Sequence, residues 1–261
     1  LGNYVAQALL ERGARVRIAS RNPDKAFKLK PLANLGQIQF ARCNAADRAS
    51  VERSIAGADA VVNLIGAFDG NLRRLMGDAP GWMAEAAAST GARAFVHVSA
   101  IAPEPDEDAE IEYAAAKRLG EKQVLAAFPK ATILRPSIVF GKDDKFINMF
   151  AGLISNLPVL PVFAPDAKLQ PVYVDDVAEA AVRALEQPDV FGGKIHELGG
   201  PEQLSMMDIN RAIAEAQYRE RSFLPMPDAI SAIFAALPGT PMGSDQWELL
   251  KSGNVVSGDH P

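Results

Sequence analysis

A single cysteine, Cys43, excludes an intramolecular disulfide and makes a reducing compartment the expected setting. It lies in the apolar run 38–43, where a thiol reads as a small packing group. Histidine is scarce as well. His97, His196 and His260 are scattered, and no spacing among them would put two on one metal ion, so no metal is expected. The acidic pairs Asp143-Asp144 and Asp175-Asp176 read as helix caps rather than ligands. Long apolar runs are missing. Nothing reaches the roughly 18 apolar residues of a membrane-spanning helix; the longest helical apolar stretch, 229–237, is too short and reads as a buried helix face, or else as a surface led by Phe234 that touches a membrane or a partner. Positive charge is in deficit, with 27 Lys and Arg against 32 Asp and Glu and a net charge of −5. That balance excludes a nucleic-acid binder by bulk electrostatics. The chain starts at Leu1, without an initiator methionine and in a helical pattern. Any targeting segment, and the first strand, would therefore lie upstream.

What is present suits a sizeable core. Hydrophobic residues make up 48% of 261, enough for one large α/β domain with a small appendage. Short β-branched runs alternate with amphipathic stretches. Strands are expected at 15–20, 38–43, 60–65, 94–99 and 132–135. Helices are expected at 3–12, 24–35, 48–56, 71–90 (interrupted near Pro80) and 110–128. Alternation of this kind indicates parallel pairing through right-handed crossovers. The run 60–65 is apolar on both faces, as a sheet covered by helices on each side requires. After Pro136 the pattern loosens, and prolines gather at 158, 161, 165 and 171. The run 172–177 leads into a helix ending at Glu186, and 194–198 reads as a strand. Further helices are expected at 205–216, 228–237 and 244–251. The expected architecture is α/β. A Rossmann-type doubly wound parallel sheet covers residues 1–140, with its first strand upstream. A smaller C-terminal lobe covers 141–261, interleaved with the last sheet strands.

Ser99, Tyr113 and Lys117 are the most informative group. Ser99 ends an apolar strand-like run. Tyr113 opens a helical stretch, and Lys117 follows four positions on, one turn later and on the same face. An ammonium beside a phenol favours the phenolate and lowers its pKa. A phenol tuned that way passes a proton near neutral pH. A nearby serine hydroxyl would hold the substrate oxygen. These are the parts of a carbonyl/alcohol redox site that lacks only a hydride carrier.

Sheets of this kind bind dinucleotides at the carboxyl edge of their strands. Gly2 precedes the first helix, either where a helix amino terminus meets pyrophosphate or as a plain helix-start glycine. Ser20-Arg21-Asn22 closes a strand without offering a carboxylate to a ribose 2′-hydroxyl. Arg21, with Lys25 a turn away, would instead neutralise a 2′-phosphate. NADP(H) is therefore expected over NAD(H). Asp47 has two readings, an adenine-side contact or the cap of the helix at 48–56. Asn63 and Gly66 close the next strand, where Gly66 would let backbone approach the cofactor or simply turn. Pro136 and Ser137, just past a strand end, would meet the nicotinamide amide or serve only the turn. Lys117 would also hold the nicotinamide ribose.

The arrangement resembles the short-chain dehydrogenase/reductase superfamily, of the extended or atypical kind, over nearly the whole chain. A finer resemblance is carried by four blocks. They are Ile133-Leu134-Arg135-Pro136-Ser137-Ile138-Val139-Phe140-Gly141, Gln170-Pro171-Val172-Tyr173-Val174-Asp175-Asp176-Val177-Ala178, Glu197-Leu198-Gly199-Gly200-Pro201, and Asp245-Gln246-Trp247-Glu248-Leu249-Leu250 with Asn254-Val255-Val256. They are similar to the NADH:ubiquinone oxidoreductase (respiratory complex I) alpha-subcomplex subunit nine family and its bacterial epimerase/dehydratase-like relatives. The resemblance implies a fold that keeps NADPH tightly bound, and a place as an accessory or assembly subunit near the membrane. It implies a cytoplasmic or peripheral location on the inner face, the matrix side in a eukaryote. The superfamily's catalytic residues carry over as Ser99, Tyr113 and Lys117, so an active epimerase/dehydratase or carbonyl reductase is the alternative. The chain departs from the superfamily in lacking a first strand and the first two fingerprint glycines. The Ser99–Tyr113 spacing is short, and the intervening Pro103-Glu104-Pro105-Asp106-Glu107-Asp108 is acidic. An acidic loop disfavours an anionic sugar nucleotide.

Overall fold

The computed structural model describes residues 1–103, 111–228 and 244–258, without the side chains of 244–246. The expected helix at 228–237 and most of the acidic loop lie outside the described residues. The chain divides into two compact units. One takes residues 1–100, 112–135 and 174–196; the other takes 101–111, 136–173 and 197–261.

In the first unit, helix α1 (Gly2–Glu11) is followed by strands β1 (Val16–Ser20) and β2 (Ile38–Arg42). The two strands are parallel, in register from Val16↔Ile38 to Ser20↔Arg42. Between them, Pro23–Leu32 forms successive 3-10 turns, not the α-helix expected at 24–35. Pro31 sits inside this segment, where it lacks an N–H and blocks a regular i→i−4 ladder. The Lys30 ammonium lies 3.6 Å from the Phe27 ring centroid within the segment and 5.6 Å from that of Phe40 on β2, cation–π contacts that tie the segment to the strand.

Helix α2 (Arg48–Ile55) leads to strand β3 (Ala60–Asn63). Strands β4 (Ala94–Val98), β5 (Thr132–Pro136) and a later strand, β10 (Ile195–Leu198), complete a four-stranded sheet. Its order is β10-β5-β4-β3. The β3–β4 and β4–β5 pairings are parallel. Every residue of β4 is buried, whereas β3 is exposed at Ala60 and only half-buried at Val61 and Val62. The two-sided burial expected of the run 60–65 is therefore corrected. β4 lies inside this sheet, and β3 ends its order.

The stretch expected at 71–90 begins with a π-helical segment, Arg73–Asp78, which runs directly into α3 (Ala79–Ser89). Pro80 does not interrupt it. It stands where the π turns pass into α3, and its missing N–H costs the helix one backbone donor there. The wide π turns press against α4 (Glu112–Ala127). A Cβ added at Gly120 would collide with the Met76 carbonyl oxygen, so glycine lets the two backbones meet. Helix α6 (Val174–Glu186) packs on α1 and β4. Arg12 reaches Glu179 at 2.6 Å and Glu186 at 3.2 Å.

The second unit has its own core, centred on Phe150, Ile154, Leu160, Met206 and Trp247. It contains α5 (Phe146–Asn156) and α8 (Met206–Ala216). Three two-stranded ladders accompany them: β6 (Val139–Phe140) with β9 (Val172–Tyr173), β7 (Val159–Val162) with β12 (Ser222–Pro225), and β8 (Lys168–Leu169) with β11 (Leu204–Ser205). Helix α7 (Pro188–Phe191) belongs to the first unit and α9 (Ser244–Lys251) to the second. Among the described residues no helix is long and apolar enough to cross a membrane.

Candidate nucleotide site

Parallel strands bring their carboxyl ends to one edge, and most of the expected residues lie at such ends. Helix α1 starts at Gly2 with no side-chain cap and no acidic residue in its first turn. Its first N–H groups retain a positive field. A Cβ on Gly2 would meet Leu64 at an ordinary 3.8 Å, so the start of α1 lies against the residues that follow β3.

Ser20 ends β1, and its carbonyl accepts from Cys43 N–H at 2.9 Å. Arg21, Asn22 and Lys25 are exposed beyond it. The ladder register adds a residue that sequence reasoning missed. Arg42, the last residue of β2, is the partner of Ser20 and is also exposed. Among the described residues neither the Arg21 nor the Arg42 side chain forms a hydrogen bond or ion pair. The signal was available: a cation at the end of an apolar strand, in the place where the neighbouring strand ends. Arg74, also missed, donates from Nε to the Ala46 carbonyl at 2.8 Å, and its guanidinium lies 5.3 Å from the Trp82 ring centroid. Asp47 is the cap of α2, accepting from Ala49 N–H at 3.1 Å.

Asn63 is buried at the end of β3. Its Oδ1 accepts from Ile65 N–H at 3.1 Å, and its Nδ2 stands 2.9 Å from His97 Nδ1. A Cβ on Gly66 would meet nothing within 4 Å, so the chain's own packing does not demand glycine there. Ser99 follows β4 and is 4% exposed. Its N–H donates to the Leu134 carbonyl at 2.7 Å, while its Oγ has no hydrogen-bond partner among the described residues.

Tyr113 and Lys117 share a face of α4. The Lys117 ammonium donates to the carbonyls of Ile65 at 3.1 Å and Val98 at 3.2 Å. Burial lowers its pKa to about 8, partly opposed by the negative charge of Glu121. Glu121 is itself held by Arg135 in a bidentate pair of 2.9 and 2.6 Å. Lys117 Nζ lies 6.0 Å from the Tyr113 ring centroid. The phenol is stacked on Phe68 and walled by Leu72, Met76 and Ala116. Burial pushes it up to about 12. The lowered phenol expected from the Tyr113/Lys117 spacing is thus corrected: the ammonium spends two donors on backbone carbonyls, and desolvation outweighs its field.

Pro136 and Ser137 belong to the second unit. The Pro136 carbonyl accepts from Ile101 N–H at 3.1 Å. The Ser137 hydroxyl donates to the Asn254 carbonyl at 2.7 Å. The first unit contains Gly2, Ser20, Arg21, Asn63, Gly66, Ser99, Tyr113 and Lys117, with Arg42 beside Ser20; Lys117 is joined directly to the chain after Asn63 and before Ser99. Among the described residues no cluster of histidine, cysteine or carboxylates could hold a metal. A helix start, two exposed guanidiniums, a buried ammonium and a buried hydroxyl without a partner among the described residues are chemistry that suits a nicotinamide dinucleotide.

Comparison with known proteins agrees with this chemistry. Residues 1–199 match the family described as NAD dependent epimerase/dehydratase. The chain is 33% identical to NADH dehydrogenase [ubiquinone] 1 alpha subcomplex subunit 9, mitochondrial, of Dictyostelium discoideum over 77% of its length and 56% of that protein's. It is 30% identical to the Mus musculus protein of the same name over 100% of its length and 71% of that protein's. It thus spans little more than half the length of one relative. A solved nucleoside-diphosphate-sugar epimerase from Staphylococcus aureus aligns over 97% of this chain and 86% of its own, at 15% identity and a TM-score of 0.75, which supports the fold. The chain belongs to the NAD dependent epimerase/dehydratase family, with a Rossmann-type nucleotide-binding fold.

Proposed function

We propose that this protein keeps NADP(H) at the strand tips of its first unit and serves as an accessory or assembly subunit of a respiratory NADH:ubiquinone oxidoreductase. One observation carries the preference for the phosphorylated nucleotide: Arg21 and Arg42 stand exposed at adjacent strand ends without a carboxylate partner among the described residues. Two cations placed side by side repel unless an anion lies between them, and a ribose 2′-phosphate supplies about two negative charges. Asn22 and Lys25 border this position, the start of α1 would face the pyrophosphate, and Lys117 would hold the nicotinamide ribose. A retained nucleotide stabilises the fold by mass action whether or not it reacts.

The accessory role rests on the likeness to the mitochondrial subunits and on the raised Tyr113 phenol, which is poorly suited to pass a proton near pH 7. The location proposed is peripheral, on the inner face of the membrane. Native mass spectrometry of the purified protein tests the nucleotide. A copurified mass with the extra phosphate is expected, and its replacement by NAD(H) sinks the preference. Pull-down from detergent extracts tests the partner: quinone-reductase subunits should come down with this chain, and a chain recovered only free ends that role.

A second reading is favoured by the Ser99 hydroxyl, which has no partner among the described residues and lies one residue past the Val98 carbonyl that receives Lys117. In it the chain is an active oxidoreductase or epimerase. The nicotinamide supplies hydride chemistry when bound. Ser99 orients a carbonyl oxygen and Tyr113 moves the proton. Tyr113→Phe should then abolish turnover while nucleotide stays bound; full activity in that variant removes the assignment.

A further inference from the structure

Asn63 and His97 are partners in the β3–β4 register, and their contact defines the state of a buried imidazole. The Asn63 amide has one orientation. Its Oδ1 takes the Ile65 N–H, so the group 2.9 Å from His97 Nδ1 is the Nδ2 donor. His97 Nδ1 must accept. The ring is neutral, since burial and then the charge of Lys117 push its pKa down to about 3. A neutral imidazole that accepts at Nδ1 carries its proton on Nε2. The side chain is fully buried, and Nε2 has no partner among the described residues.

The same amide bears on Lys117 from its other end. Asn63 holds the Ile65 N–H, and the Ile65 carbonyl receives the ammonium. The second acceptor is the Val98 carbonyl, between His97 and Ser99 in the chain. We propose that His97 is a positioning residue for Lys117: it anchors the Asn63 amide, and Asn63 holds the N–H of Ile65, the residue whose carbonyl, in the next peptide unit, receives the ammonium. The proposal rests on the reading above only in taking Lys117 as a cation of the nucleotide site. Lys117 faces Tyr113 and Glu121 along α4, with Glu121 tied to Arg135 of β5, and His97 on β4. Removing the imidazole frees the Asn63 amide to rotate. The Ile65 carbonyl then loses its fixed direction, and the ammonium gains water.

NMR titration of the full chain labelled in lysine tests this, with the Lys117 resonance assigned through Lys117→Met. The unaltered protein should titrate at Lys117 near 8. His97→Leu should move that midpoint up by about one unit, as regained solvation favours the ammonium. His97→Gln, whose side-chain carbonyl can accept from Asn63, should bring it back. An unmoved midpoint in folded His97→Leu overturns the proposal, and so does a rise that His97→Gln leaves in place. If His97→Leu fails to fold, the 15N signature of His97 in the unaltered protein decides. A proton on Nε2 supports the proposal and a proton on Nδ1 overturns it. NADPH titration runs alongside. A protein that binds no NADPH yet shows the expected Lys117 shifts loses the nucleotide reading and keeps the positioning role.

Discussion

Phe68 lies face to face on Tyr113, with ring centroids 4.8 Å apart and planes 12° from parallel. Phe68 is 59% exposed, so the stack turns one aromatic face to water and hides the other. Beneath it Tyr113 meets Leu72, Met76 and Ala116. The cover keeps water from a phenolate, which is why burial raises the phenol.

Removing the cover should relax that shift. Phe68→Ala is expected to move the Tyr113 midpoint from about 12 toward the ordinary 10. Difference absorbance of the phenolate reads it, with Tyr113→Phe subtracting Tyr4, Tyr173 and Tyr218. An unchanged titration would assign the desolvation to the leucine and methionine wall instead.

Lys117 makes stability depend on alkaline pH. Its folded pKa is lowered from 10.5 to about 8. Between those values the unfolded chain binds more protons than the native one, so unfolding free energy rises with pH across that window. Below about 8 both states are protonated and the native state bears the full cost of a buried ammonium. Urea midpoints from pH 7 to 10.5 should climb, after correction for other groups by the same series in Lys117→Met. Identical slopes in the two proteins would contradict the lowered value.

Arg42 should act on one nucleotide only. Losing a charge-assisted hydrogen bond to a phosphate costs about 1.5–3 kcal/mol, or roughly ten- to a hundredfold in affinity. Arg42→Ala and Arg21→Ala are expected to weaken NADPH by that factor and to leave NADH within about twofold. Isothermal titration with both nucleotides measures it. Equal losses for NADPH and NADH would mean that the arginines support the fold rather than read the phosphate.

Gly120 should tolerate no side chain. An added Cβ meets the Met76 carbonyl, a backbone atom that cannot swing aside. Gly120→Ala is expected to destabilise the protein by about 1–3 kcal/mol through overpacking, despite alanine's better helix propensity of about 1 kcal/mol. Urea unfolding checks the sign. A stabilised variant would show that the π segment can draw back from α4.

Much of the first unit was legible as a string of letters. The strands at Val16–Ser20, Ala94–Val98 and Thr132–Pro136 and the helix at Arg48–Ile55 lie within a residue or two of expectation, whereas the helix Val174–Glu186 starts earlier than expected and takes Asp175 and Asp176 into its first turn rather than as caps. Hydrophobic period and glycine stops are local properties, carried by neighbouring residues. The meeting of Tyr113 and Lys117 on one helical face is equally local. The 3-10 turns at Pro23–Leu32 and the π turns at Arg73–Asp78 were not legible. The first follows from Pro31 overriding a helical period, and the second accompanies the close approach of Met76 to Gly120 across the fold.

Residue order by itself determined an α/β chain of alternating strands and helices, with a phenol and an amine one helical turn apart and a serine just past a strand. Only the tertiary structure decided what those groups are like. It put Arg42 beside Ser20, spent the Lys117 ammonium on two carbonyls, covered Tyr113 with Phe68 and set the tautomer of His97 through Asn63. Each of these joins residues about 20 to 50 positions apart, where spacing along the chain has no hold. Solvation and hydrogen bonding at a buried atom depend on whatever folding brings to its surface.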